Sequence, residues 1–158
     1  MPSANDTTFE LMGIIERLQR GERTIARAQF EATWARLDSS DLFHRCVLAH
    51  YMADAQDDLR EELRWDQLAL DAASAAVPQE FDGRFPGMTL ASFFPSLHLN
   101  LAADYEKLGD LALARKHAVM AAEAVPALDD SGLGSMTSAA IERLLGRLAD
   151  APHGHESD

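Results

Sequence analysis

The chain has 158 residues, 47% hydrophobic and 25% charged, which suits one domain of ordinary size and excludes the composition of a disordered segment. Nine glycines, six prolines and one cysteine exclude a collagen-like repeat, a disulfide scaffold and a multi-cysteine zinc fold. A net charge of −12, from 26 acids against 14 bases, argues against nucleic-acid binding, which calls for a basic stripe.

Residues 1–7 are polar and carry no Lys or Arg, so they lack the charged start of a signal peptide and are expected to be disordered. Thr7-Thr8-Phe9-Glu10 has the form of a capping box, with Thr7 as the cap. Leu11, Ile14, Ile15 and Leu18 then recur at helical spacing, and Ala26, Phe30 and Trp34 mark a second helix beyond Gly21. This first hairpin spans about 8–37. A second, about 40–75, sets Leu48, Ala49 and Met52 against Leu59, Leu63, Trp65 and Leu68, with Gln56 at the turn. Residues 76–94 break the period. They hold Pro78, Gly83, Pro86 and Gly87 beside four phenylalanines, Phe81, Phe85, Phe93 and Phe94. The third hairpin, about 89–126, carries Leu101, Ala102, Tyr105 and Leu108 before a Gly109-Asp110 break. Leu111, Ala114, Ala118, Ala121 and Ala122 form its second helix, and Pro126 follows the end. Residues 129–134 lack the alternating ligands of a calcium loop and read as a turn. Ile141, Leu144, Leu145 and Leu148 predict one more amphipathic helix over 135–149, before a polar tail, 151–158, expected to be disordered.

The third hairpin resembles a tetratricopeptide repeat, a unit of about 34 residues in two antiparallel helices. The resemblance rests on Leu101-Ala102, Tyr105, Gly109, Ala114, Ala121 and Pro126. Ala118 departs from it, standing where an aromatic residue is usual. Trp65 and Phe30 hold the position corresponding to Ala118 in the two earlier hairpins, whose turn residues, Gln56 and Gly21, are 35 residues apart, close to the repeat length. Gln56 and Glu61 depart from the small residues expected there. The resemblance implies an all-α fold: a short right-handed superhelical solenoid of about three helix-turn-helix repeats plus a C-terminal capping helix, a single domain over 8–150. It also implies non-catalytic protein or peptide binding in a concave groove. Groove positions would be Phe9, Met12, Phe43, Cys46, His50, Asp54, Ala103, Glu106 and Lys107, whose mixed polarity favours a peptide with apolar and basic groups.

Cys46, His50 and Asp54, at i, i+4 and i+8, stack on one helix face. Thiolate, imidazole and carboxylate could bind zinc, or the histidine could activate the thiol. One helix rarely closes a metal site, so the expectation is no catalytic residue, no metal and no cofactor, with a metal or thiol enzyme on Cys46 and His50 kept as an alternative. His44 and His117 read as surface or boundary residues, His98 as packing, and His153-Gly154-His155 as part of the tail. No Ser-His-Asp spacing is visible. The acids Asp54, Asp57, Asp58, Glu61, Glu62 and Asp66 make either a solvated face or a docking surface for a basic segment. Phe81, Phe85, Phe93 and Phe94 are expected to add a partner surface, since loop-borne aromatics are frequent binding anchors. Self-association through exposed apolar surface is the other alternative. No apolar run approaches the roughly 20 residues of a membrane span. A lone cysteine suits a reducing compartment, so the expected location is cytoplasmic.

Overall fold

The computed structural model describes residues 2–85, 88–129 and 131–152, and these form seven α-helices, two single 3-10 turns and no strand. The fold is all-α, and no helix among the described residues is long and apolar enough to cross a membrane. Contacts divide the chain into two compact units, Met1–Ala76 and Val77–Asp158, with the division falling at the edge of the aperiodic stretch.

The first unit holds α1 (Ala4–Gln19), α2 (Arg23–Arg36), α3 (Leu42–Asp54) and α4 (Leu59–Ala75). Helix α1 starts earlier than its sequence predicts. Ser3 and Asp6 form the capping box, Ser3 Oγ accepting the Asp6 amide at 3.2 Å and Asp6 Oδ2 accepting the Ser3 amide at 3.0 Å. Thr7 therefore lies inside the helix, not at its cap, and its hydroxyl donates back to the Ser3 carbonyl. The segment expected to be disordered is largely the cap and first turn of α1. Gly21, at φ +89°, makes the left-handed turn into α2. The turn between α3 and α4 needs no such residue: no non-glycine among the described residues has positive φ, and the Gln56 side-chain amide donates to the Met52 carbonyl at 3.1 Å. That is why glutamine serves there. Helix α3 packs on α1, α2 and α4, so Phe43, His44, Cys46, Leu48, Ala49, Met52 and Ala53 are all buried along it.

The second unit holds a 3-10 turn at Pro78–Glu80, α5 (Leu90–Leu108), α6 (Leu111–Ala124), a 3-10 turn at Val125–Ala127 and α7 (Gly132–Asp150). Thr89 and Ser92 cap α5 reciprocally, Gly109 at φ +84° closes it, and Asp110 caps α6. Ala102, Ala114 and Ala118 are fully buried where α5 and α6 meet, and Leu144 and Leu148 of α7 close over them. Arg115 of α6 donates to the Leu148 and Ala151 carbonyls, satisfying the end of α7. Helix α7 begins three residues before its predicted start, capped by Ser131. Gly134 is needed there because a Cβ would stand 2.3 Å from the Asp129 carbonyl oxygen.

Ala114→Trp is expected to cost about 1–3 kcal/mol or more by overpacking the α5–α6 seam. Ala112→Trp, on the exposed side of the same helix, should stay within about 0.5 kcal/mol. Denaturant midpoints compare the two; equal effects would mean that the seam lies elsewhere.

Candidate functional site

The predicted groove set divides by exposure. On α1, Phe9 and Met12 stand out in solvent, at 80% and 47% exposure. Asp54 is exposed at the end of α3, but Phe43 and Cys46 are core. Their place in the groove is therefore corrected: α3 is covered on several sides, so the face carrying them looks into protein. Burial pushes the Cys46 thiol up to about 12. His50 keeps some exposed surface, yet the protein around it strips its solvation and pushes the ring down to about 4. An activated thiolate–imidazolium pair needs the opposite shifts, so this environment works against thiol chemistry at Cys46. In the second unit Ala103 is half-buried, Glu106 pairs with Arg147 of α7 at 3.1 Å, and Lys107 lies 3.8 Å from the buried Asp104.

Three acids of the run serve the fold of the first unit. Asp57 accepts from Arg23 and Arg27 at 3.0 and 3.3 Å, Asp58 caps α4, and Glu61 pairs with Arg64. The same two arginines reach the carbonyls of Gln56 and Ala55, so α2 holds the α3–α4 turn.

The four phenylalanines do not share one surface. Phe81 is fully buried, its ring edge-on to Phe93 at 5.2 Å, and is corrected from partner surface to core. Phe85 and Phe93 are half-buried. Phe94 lines an open pocket of about 580 Å³ with Pro78, Leu90, His98, Met120 and Glu123. Pro86, Gly87, Asp130 and His153-Gly154-His155 lie outside the described residues.

Beside this pocket runs a row of rings. Phe94 lies 6.2 Å from His98, His98 5.3 Å from His117, and His117 5.5 Å from Tyr105, with interplanar angles of 26° or less. The Nδ1 atoms of His98 and His117 are 3.1 Å apart. That separation falls short of the distance between ring centres by about two ring radii, so the nitrogens lie between the centres and the rings meet edge to edge. One ring must donate Nδ1–H and the other accept it. Burial and neighbouring positive charge, His117 for His98 and Lys116 for His117, hold both rings below the ordinary histidine range.

The described structure also joins Thr8 to a histidine and a carboxylate far along the chain. His44, read as surface or boundary, is buried; its Nε2 lies 2.8 Å from Thr8 Oγ1 and its Nδ1 2.7 Å from Asp41 Oδ2. The order hydroxyl, imidazole, carboxylate is that of an activated nucleophile. Thr8 Oγ1, however, also lies 3.0 Å from the Ala4 carbonyl of its own helix. The pocket of about 390 Å³ in this unit is lined by other residues, among them Glu10, Arg17 and Gln29. The three residues act as a polar clasp between α1 and α3. Asp41 and His44 stand one helical turn apart, but nothing in the sequence tied them to Thr8, 36 residues before His44.

A scan against protein-family models, a search of curated proteins and a search of solved structures return no match for this chain. Two outcomes check the site. Cys46 should resist a disulfide reagent in native protein and react once denaturant is added, and Cys46→Ser should cost about 1–3 kcal/mol, because it buries a hydroxyl in an apolar position. Phe81→Ala should cost about 3–5 kcal/mol as a core truncation.

Proposed function

We propose that this chain is a non-catalytic peptide- or protein-binding module, built on the tetratricopeptide-like repeat plan as a short helical solenoid and working in the cytoplasm. The observation that carries the reading is the pocket in the second unit. Its walls are apolar: Pro78, Leu90, Ala91, Phe94, Met120 and Ala124, with Pro126 and Ala127 from the following turn. Such a concavity accepts an apolar side chain, and His98 and Glu123 are the polar groups that orient it. The buried, proton-holding Cys46 is consistent with a reducing compartment.

A second reading, self-association, is favoured by Leu133 and Met136, which stand one turn apart on α7 with 75% and 69% of their surface exposed.

The test uses a short fluorescein-labelled peptide of phenylalanine, leucine and lysine. Anisotropy should report binding, and Phe94→Ala and Met120→Ala should each weaken it by about tenfold, roughly 1.4 kcal/mol, with melting nearly unchanged. No binding, or binding indifferent to both variants, would sink the peptide reading. Light scattering on the wild type and on Leu133→Glu/Met136→Glu separates the second: a dimer that the double variant dissolves would favour self-association.

A further inference from the structure

The pocket's polar groups point to a particular kind of ligand and to its control by protons. Glu123 stands at the pocket, pairs with no cation among the described residues, and shares a lining that contains no lysine or arginine. The whole chain carries a charge of −12. An apolar side chain seated between Phe94 and Met120 therefore finds a carboxylate as the one acidic or basic group besides His98 in the pocket lining. The neighbouring polar group is His98, tied edge to edge to His117.

We infer that the pocket takes a peptide segment carrying a basic residue next to an apolar one, and that protonation of the His98–His117 pair releases it. The inference rests on the peptide reading above and adds the ligand's charge and its regulation.

The hydrogen bond sets the proton count. The neutral pair shares one Nδ1–H between two nitrogens. A first added proton leaves that bond in place but puts a positive charge beside the pocket. A second sets two N–H groups head to head, and the bond breaks. Each charge repels a basic ligand and offsets the attraction of Glu123. The sign follows: both rings sit below the ordinary histidine range, so the pair is neutral near pH 7 and gains charge as the pH falls under about 6.5. Affinity for a basic ligand is then highest at neutral pH and declines with acid. The charged and titratable groups set around the pair are few. Tyr105 on α5 lies against His117, Lys116 is its neighbour on α6, and Glu123 of α6 shares the pocket with His98. The turn Val125–Ala127 brings none, and the turn Pro78–Glu80 brings Glu80, whose carboxylate accepts the Val77 amide at 2.8 Å. On α7, Arg147 is engaged by Glu106, and Glu142 and Arg143 are exposed. A cation between the two histidines is not the alternative, since nitrogens facing head-on at 3.1 Å leave no room for one.

The experiment measures the same fluorescein-labelled peptide at about pH 7.5 and about pH 5, with circular dichroism checking the fold at both. Wild type should bind about tenfold more weakly at the lower pH. His117→Phe should flatten most of that difference, while Glu123→Gln should weaken binding at both pH values and keep the pH dependence. Ring NMR of the wild type should show the two histidines titrating in separate steps, both below the ordinary value. Binding that is strong and equal at both pH values overturns this inference and leaves the peptide reading standing. The same holds for a pH dependence unchanged in His117→Phe, or for two rings titrating independently at the ordinary value. Absence of binding at pH 7.5 overturns both.

Discussion

Close approach of α5 and α6 across alanine is the constraint on which the second unit depends. Ala102, Ala114 and Ala118 retain no exposed surface, so nothing larger than a methyl group separates the two backbones there. At that distance the larger side chains beside the seam are forced into register. His98 and His117 meet edge to edge, Phe94 and Tyr105 continue the row, and Met120 stands on the same side as Phe94 at the pocket. A wider spacing would break the nitrogen–nitrogen contact first, since a hydrogen bond fades within a few tenths of an ångström.

The first unit solves the same problem with larger groups. Trp34 and Trp65 meet edge to face at 5.0 Å, with the guanidinium of Arg45 over one ring and that of Arg64 over the other. Thr33 is buried but satisfied, donating to Glu10 and lying against the Gln29 carbonyl. Thr8, His44 and Asp41 add a second polar tie. These groups enter the interior of the unit in connected sets, which is the condition for burying them at small cost, whereas Gln29 Oε1 is buried without a hydrogen-bond partner.

Chemical reactivity and burial are opposed at Cys46. A thiol in an apolar interior keeps its proton, so the surroundings of the residue most suggestive of chemistry in the sequence disfavour its nucleophilic form. The pocket shows the converse. Its walls come from residues whose individual spacing carries no motif, and only their convergence from α5, α6 and two 3-10 turns makes a concavity.

The sequence by itself determined the helices. Apolar spacing located all seven, and Gly21, Gln56 and Gly109-Asp110 marked the turns within the hairpins, because helix periodicity and turn signals are local properties of the chain. The local reading erred at the start of α1: the sequence suggests Thr7 as its cap, and the structure caps the helix at Ser3 with Asp6. Faces were decided by tertiary structure. Whether the surface of α3 bearing Cys46 and Phe43 forms a groove or core depends on what packs over it, and helix spacing is silent on that. Phe81 and Phe94 look alike in the sequence, yet one became core and the other pocket wall, because burial is set by neighbours distant along the chain. The His98–His117 pair and the Thr8–His44–Asp41 clasp, spanning 19 and 36 residues, exist only through helix packing.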